Sequence, residues 1–366
     1  MKSKINWSLD QIHTWNITSG CTKVSAGCAH CYAERLVSTR LRHLPQNGGV
    51  VRGDKNGIGH WTGLVRCHDD KLSEPLRRKT PTTYFVCSQS DLFHEAVPFE
   101  FFYRALAVMA LCPQHTFMIL TKRPERMREC YDSFNFDWDG LFAKLAISGI
   151  SIGSMNNALD TQFDIIQTKV DETYLKIKQW PLDNVWLGTS VENQKAADER
   201  IPHLLACPAS KRFLSCEPLL GPVDLTQITV DGPGWCGQSY CNALTVDAST
   251  WTKPPVKLTH IDLVIVGGES GPNARPMHPD WARSLRDQCK DAGVPFFFKQ
   301  WGEWAPMSSI VEHRAVVMKA LETQHSLGTD GSFTREHLPD CCSMYKVGKK
   351  AAGSLLDGVE HKEWPE

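Results

Sequence analysis

The chain has 366 residues, a formal net charge of −1 and 14 cysteines. The near-neutral charge excludes an overall basic field of the kind that attracts a protein to nucleic acid or to an anionic membrane, while a local basic patch is still allowed. Met1 leads into polar sequence and no long uncharged apolar run follows. The sequence therefore predicts neither a signal peptide nor a membrane partner, and a reducing cytoplasm is the expected setting.

Seven short apolar segments have the composition of strands, and helical patterns separate most of them. The strands are predicted at 15–18, 83–87, 116–120, 184–188, 211–215, 261–266 and 295–299, and the main helices at 32–41, 101–111, 125–131, 194–206 and 281–292. This alternation predicts an α/β fold, a parallel sheet with helical crossovers. Three irregular insertions, at about 45–80, 133–180 and 224–258, interrupt the rhythm, and about 305–366 is predicted as a C-terminal extension.

Polar or small residues follow every predicted strand. In a closed or partly closed barrel these residues converge on the carboxyl-terminal rim, where barrel active sites lie. A flat doubly wound sheet also places its ligand at the carboxyl ends of its strands. The strand ends therefore favour an enzyme, and the strand count alone leaves open whether the sheet closes.

Three cysteines follow the first predicted strand within eleven residues. Cys21, Cys28 and Cys31 have the spacing C-x6-C-x2-C. An iron–sulfur cluster normally takes four cysteines, so three thiolates on one loop suit a cluster whose fourth iron is completed by a cofactor or substrate. One alternative is a zinc site, closed by Cys236 or Cys241 because structural zinc needs four ligands, in a non-catalytic protein that binds nucleic acid. Another is a scaffold whose buried thiols only pack.

The segment GCTKVSAGCAHCYAE, residues 20–34, resembles the cluster-binding loop of the radical S-adenosylmethionine (SAM) enzymes. Their usual spacing is C-x3-C-x2-C, on the loop after the first strand of a partial (β/α) barrel. Here the first gap is three residues longer, and His30 occupies the position that is usually aromatic. The match is to a variant of that loop.

The whole chain is similar to a phage-associated family of radical-SAM-like proteins of unknown function. The segments that carry the resemblance include VCSQSDLFHE, ILTKRPERM, WLGTSVENQKAADERIPHLL, VIVGGESGPNARPMHPDWARSLRDQC and FFFKQWGEW. The resemblance implies one domain over 1–366 with a partial (β/α) TIM-like barrel of the radical SAM type. It also implies a [4Fe–4S] cluster on the three cysteines, with SAM on the fourth iron. Reductive cleavage of SAM would give a 5′-deoxyadenosyl radical that abstracts a substrate hydrogen.

The same resemblance implies partners and site residues. We expect a flavodoxin- or ferredoxin-type reductant, and a nucleotide or a modified nucleobase of phage DNA as substrate, in the host cytoplasm if the gene is carried by a phage. The expected SAM contacts are Ser88, Ser90 and Asp91 for its ammonium, Lys122 or Arg123 for its carboxylate, Ser190 and Glu192 for its ribose, and the surroundings of Cys216 or Gly267 for its adenine. The candidate catalytic residues are Glu217, Glu269 and Lys299. A polar residue at a strand end is otherwise often a turn former or a helix cap.

Overall fold

The computed structural model describes residues 12–53, 59–133, 181–231, 238–245, 259–310, 320–336 and 341–366. Nearly all of the predicted insertion at 133–180 lies outside these residues. So do Cys236 and much of the predicted insertion at 224–258.

Seven parallel strands form the central sheet, and each pairs with the next strand of that sheet along the chain. They are β1 (Ile12–Trp15), β2 (Thr83–Val86), β3 (Thr116–Thr121), β4 (Val185–Ser190), β5 (Lys211–Cys216), β6 (Leu263–Gly267) and β7 (Phe296–Gln300). In a doubly wound sheet the strand order reverses at a switch point. The order here never reverses, so the sheet is a partial (β/α) barrel, and the predicted fold class is confirmed.

Five helices accompany the sheet: α1 (Tyr32–Ser38), α2 (Phe99–Ala110), α3 (Pro124–Asp132), α4 (Gln194–Ala206) and α5 (Pro279–Ala292). Between β5 and β6 the described residues form a hairpin of Ile228–Asp231 with Gln238–Cys241. Of the helices that the structure describes, none combines the length and the apolar character that a membrane crossing requires.

The first strand and the first helix differ from their predicted bounds. β1 ends at Trp15 rather than at Thr18, because Thr18–Ser19 pairs with Arg66–Cys67 in a separate antiparallel ladder. Helix α1 ends at Ser38 rather than at Leu41. The amide of Leu41 donates to the carbonyl oxygen of Leu36, five residues earlier, whereas an α-helix joins residues that are four apart. Tertiary pairing and a changed hydrogen-bond pattern thus set both boundaries.

The predicted irregular insertion at 45–80 contains short regular pieces. They are the Arg66–Cys67 strand, a hairpin of Val51–Gly53 with Gly59–Trp61, the helices Asp69–Leu72 and Glu74–Arg77, and a 3-10 turn at Pro45–Asn47. Another 3-10 turn, Ala26–Cys28, ends at the second of the three predicted cluster ligands.

Successive residues of each strand pack on opposite sides of the sheet, as the strand period of two requires. The smaller, concave cluster consists of Ile12, Phe85, Met118, Phe213, Leu263, Ile265 and Phe297. Their neighbours in sequence, such as Val86, Phe117 and Val264, belong to the large core that includes the helices. The concave cluster fills the interior of the barrel below its rim.

The C-terminal extension folds into small sheets and then returns to the barrel. Trp304–Pro306, His325–Leu327, Phe333–Thr334 and Cys342–Lys346 form a four-stranded antiparallel sheet, flanked by a 3-10 turn at Met307–Ser309, and helix Lys349–Ala352 precedes a ladder of Leu355–Leu356 with Val359–Glu360. The amide of Phe298 then donates to the carbonyl of His361 at 2.9 Å. The tail therefore covers the outer edge of β7, an edge that would otherwise be open to another strand.

Candidate metal centre

The cysteine loop, residues 20–31, begins at a glycine that no other residue can replace without movement. Gly20 has φ +86°, and a Cβ built on it would lie 2.0 Å from the carbonyl oxygen of Leu64. A parallel bridge joins Gly20 to Ser90, which follows β2. The loop therefore leaves the sheet beside the carboxyl end of β2, at the rim where the sequence predicts the site.

The first of three arginine–carboxylate pairs holds the start of the loop. Arg123 Nη1 donates to Asp91 Oδ2 at 3.1 Å and to Cys21 Sγ at 3.7 Å. Arg123 Nη2 donates to the Thr22 carbonyl oxygen at 3.1 Å and to Thr22 Oγ1 at 2.7 Å. Asp91 also accepts from the amides of Phe93 and Lys122 and from Thr121 Oγ1. This pair connects β2 and β3 to the first predicted cluster ligand.

The second pair holds the middle of the loop. Arg200 Nη1 donates to Glu192 Oε2 at 2.7 Å, and the amide of Gly27 donates to Glu192 Oε1 at 3.4 Å. Burial by itself raises the pKa of Glu192, but the Arg200 guanidinium and the Ser25 hydroxyl outweigh it, so the net pKa is lowered. A Cβ on Gly27 would meet the Glu192 carboxyl group at 3.2 Å. Gly27 thus allows the carboxylate to reach the loop backbone.

The third pair holds the end of the loop. Arg275 Nη2 donates to Glu269 Oε1 at 2.6 Å and to the Ala26 carbonyl oxygen at 3.0 Å. His30 Nδ1 lies 3.0 Å from Glu269 Oε2. Burial favours a higher pKa for Glu269, but hydrogen bonds from Arg275 and His30 lower it overall. His30, which replaces the usual aromatic residue, therefore connects the loop to the turn after β6.

The three pairs thus contact the loop from three different strand ends. Asp91 does so through Arg123, Glu192 accepts directly from the Gly27 amide, and Glu269 contacts His30 directly and Ala26 through Arg275. The sequence predicts Asp91 and Glu192 as SAM contacts and Glu269 as a catalytic residue. In the structure their oxygens accept hydrogen bonds from protein donors. Their roles toward a cofactor or substrate stay predictions, while their positioning of the loop is a structural observation.

The other predicted residues line the barrel mouth or brace it. Lys122 Nζ donates to Ser190 Oγ at 3.0 Å, and Lys299 Nζ lies 3.0 Å from Glu217 Oε2. Lys122 opposes the effect of burial on the pKa of both Cys31 and Glu192, so its charge acts on the cysteine loop and on the residues after β4. The structure therefore brings two lysines to the same rim as the thiols.

Ser88 and Ser90, which follow β2, contact residues on both sides of the cysteine loop. Ser88 Oγ donates to Asn16 Oδ1 at 3.1 Å, and the Ser88 carbonyl accepts from the Tyr32 hydroxyl. Ser90 Oγ lies 2.6 Å from Thr18 Oγ1. These contacts fix the path of the chain as it enters and leaves the cysteine loop.

Two cysteines that the sequence offers for the site are buried in the large core, and a carboxylate occupies the space beside Gly267. Cys216 belongs to the large helix-side core, where Cys289 is among the groups that raise its pKa after burial itself, so it does not line the barrel mouth as an adenine wall. The space beside Gly267 is taken by Glu217, whose Oε1 would lie 2.6 Å from a Cβ there. Cys241, offered as a zinc ligand, is also buried in that core, where burial and Asp198 raise its pKa to about 11.

The three thiols of the loop are half-buried and influence one another. Burial, then Asp91, raises the pKa of Cys21 to about 11 against the lowering effect of Arg123, and Cys31 contributes to the rise. Burial raises the pKa of Cys31, and Cys28 adds to it. Cys31 is therefore within electrostatic range of both other thiols.

The donor set fits a cluster better than a single ion. Among the described residues, no group of three or more His, Cys, Asp or Glu side chains converges closely enough to hold one metal ion. In a [4Fe–4S] cluster each thiolate binds its own iron, so the ligands surround a larger body. Three soft thiolates on one loop, braced from outside, fit that arrangement.

The two loop-bracing arginines beyond Arg123 were not foreseen from the sequence. Arg200 lies eight residues after Glu192, and Arg275 six residues after Glu269. Opposite charges at those spacings are common on solvated surfaces, and only the burial of the carboxylate distinguishes these pairs. Side-chain exposures of 7% and 3% for Arg200 and Glu192 show that burial.

Replacement of Gly20 by alanine tests the loop entry. Gly63 is the matched control, since it has φ +85° but only Thr22 Cγ2, at 3.8 Å, near its missing Cβ. Both Gly20→Ala and Gly63→Ala place alanine at positive φ, which costs about 1–2 kcal/mol. We expect Gly20→Ala to lose a further amount on the order of 1–3 kcal/mol, because the Leu64 carbonyl must move. Urea unfolding measures both losses, and equal losses would contradict the close approach.

Removal of Arg200 tests the buried pair. Arg200→Met leaves Glu192 charged and buried, so we expect a loss of about 3–5 kcal/mol in the free energy of unfolding. The double variant Arg200→Met/Glu192→Leu is expected to recover part of that loss. Lys195→Met, in the exposed Lys195–Glu199 pair on the same helix, is the control and should change stability by less than about 1 kcal/mol. A double variant no more stable than Arg200→Met alone would argue against the buried charge as the cause.

Comparison with known proteins gives a family but no activity. No curated protein matches the chain. Among solved structures, a mutant of spore photoproduct lyase aligns over 80% of this chain and 75% of its own, with 12% sequence identity and a TM-score of 0.27. A likeness that distant implies no shared activity. The model of the family described as "Protein of unknown function (DUF5131)" matches residues 2–365, and the chain belongs to that family.

Proposed function

We propose that the chain is a radical SAM enzyme whose [4Fe–4S] cluster is bound by Cys21, Cys28 and Cys31. The observation that carries the proposal is the position of these thiols. They share one loop at the carboxyl rim of a partial barrel, and three arginine–carboxylate pairs, two of them fully buried, brace that loop from the ends of β2, β4 and β6. Enzymes with a barrel of parallel strands use this rim for catalysis.

When bound, the cluster and SAM would supply radical chemistry by reductive cleavage of SAM, and the protein would orient the reactants and limit access of water. Lys122 would meet the carboxylate of SAM, since its ammonium donates to Ser190 Oγ at 3.0 Å and acts electrostatically on Cys31. Ser190 is almost completely buried and holds Lys122 in place. This arrangement supports the carboxylate assignment that the sequence makes for Lys122.

Glu217 and Lys299 would form the substrate side of the mouth. Glu217 directly follows β5, and Lys299 lies on β7. The Lys299 ammonium is 3.0 Å from the Glu217 carboxylate. Tyr32, the residue after Cys31, is exposed at this mouth, and its hydroxyl donates to the Ser88 carbonyl oxygen after β2. A substrate held between the loop and this ion pair would lie within the barrel mouth, above the concave apolar cluster.

Anaerobic reconstitution tests the cluster assignment. We expect the purified protein to turn brown, to bind about four irons per chain, and to release 5′-deoxyadenosine from SAM after chemical reduction. Cys28→Ala is expected to lose both the iron and the product. Cys341→Ala, which removes a half-buried thiol next to the C-terminal four-stranded sheet, is the control and should retain both.

A protein that stays colourless and iron-free after reconstitution would overturn the proposal. So would a Cys28→Ala variant with the iron content of the control. A stoichiometric zinc ion, with DNA binding that weakens as salt rises, would instead support the non-catalytic alternative.

The proposed substrate is a nucleotide or modified nucleobase of phage DNA, and electrons would come from a flavodoxin- or ferredoxin-type reductant. Both proposals follow the sequence resemblance. We expect mass spectrometry of nucleosides from phage DNA to show one modified species in the presence of the intact gene and its precursor in the presence of the Cys28→Ala gene. Identical nucleoside profiles would contradict this substrate class and leave the cluster assignment untouched.

A further inference from the structure

We infer that Arg123 is a positioning residue for the cluster and that its hydrogen bond to Cys21 raises the reduction potential of that cluster. The inference rests on the proposed function, because it assumes that Cys21 is a cluster ligand. It concerns a property that the ligand set alone does not determine, the energy at which the cluster accepts an electron.

Every N–H group of the Arg123 guanidinium has an acceptor. Nε donates to the Glu95 carboxylate at 3.0 Å, Nη1 to Asp91 and to Cys21 Sγ, and Nη2 to the carbonyl and hydroxyl oxygens of Thr22. The five donors of a guanidinium lie in one plane in fixed directions. Four of the five bonds therefore fix the direction of the remaining one, which points at the sulfur.

The side chain is also well shielded from water. Arg123 is 7% exposed, and its charge acts on Cys21 through protein rather than through bulk solvent. Electrostatic interactions are stronger in such surroundings than in water. Burial, which opposes a charge, is outweighed by Asp91, Cys21 and Glu95, and the pKa of Arg123 is raised.

The three cluster ligands differ in their surroundings. Cys21 accepts from a guanidinium at 3.7 Å, whereas Cys28 Sγ has a neutral hydroxyl, Ser25 Oγ, at 4.0 Å. The backbone amides of Glu34 and Ala33 donate hydrogen bonds to Cys31. Hydrogen bonds to ligand sulfurs and the net charge nearby set the potential of an iron–sulfur cluster. A cation bonded to Cys21 stabilises the added electron and so shifts the potential upward.

Glu95 provides a milder way to change the same charge. Its side chain is 65% exposed, and it contacts Arg123 without contacting the cysteines in any described bond. Neutralising it leaves Arg123 with one fewer anion, so the field at Cys21 becomes more positive. A variant at this exposed position changes the charge with little risk to folding.

The test is a redox titration of reconstituted protein at low ionic strength, with the reduced cluster followed by electron paramagnetic resonance. We expect Arg123→Met to shift the midpoint potential to more negative values and Glu95→Gln to shift it to more positive values. The Arg126–Glu129 pair on α3, with an N–O distance of 2.9 Å, supplies matched controls. Arg126→Met and Glu129→Gln make the same charge changes away from the cysteine loop and should leave the potential unchanged.

Equal potentials for Arg123→Met and Arg126→Met would overturn the inference and leave the proposed function intact. If Arg123→Met does not assemble a cluster, the comparison of Glu95→Gln with Glu129→Gln decides, and no difference between those two would overturn it. A wild-type protein that binds no iron would overturn the proposed function and this inference together.

Discussion

The structure around the cysteine loop depends on charged groups that are buried in pairs. A charged group transferred from water into a protein loses several kcal/mol of solvation, and only a well-placed partner and further hydrogen bonds compensate for that loss. Asp91–Arg123 and Glu192–Arg200 meet this condition, whereas Glu269 is buried and its partner Arg275 is partly exposed. Each pair also makes at least one hydrogen bond to the backbone of the loop. The loop has little regular secondary structure of its own, so these pairs, together with Gly20, hold it in place.

The order of the strands explains why such pairs are possible. Each strand of the sheet is the spatial neighbour of the next along the chain, so residues from distant parts of the sequence meet at one rim. The apolar residues of alternate positions fill the barrel below this rim. The strand ends bring polar groups to the mouth, among them the contacting pairs Lys122 with Ser190 and Glu217 with Lys299.

Much of the sheet was predictable from the sequence because its signal is local. Six of the seven strands lie within two residues of their predicted bounds, since buried strands are short apolar runs with polar ends. The boundaries that differ depend on distant partners, as when Thr18 pairs with Cys67. The site shows the same division. The spacing of Cys21, Cys28 and Cys31 predicts a ligand set, but nothing local reveals that Arg275 reaches the carbonyl of Ala26. The sequence also does not reveal that Cys216 and Cys241 lie in the large core, because a cysteine has the same local signature in a core as at a ligand site.

The proposed function requires that the cysteine loop holds iron. The most direct measurement is an anomalous difference map from crystals of reconstituted protein, with data collected on both sides of the iron absorption edge. We predict a single compact iron peak in contact with the sulfurs of Cys21, Cys28 and Cys31, on the side of Lys122. An iron peak bound by other residues, or a loop with no iron in a protein that contains it, would contradict the account.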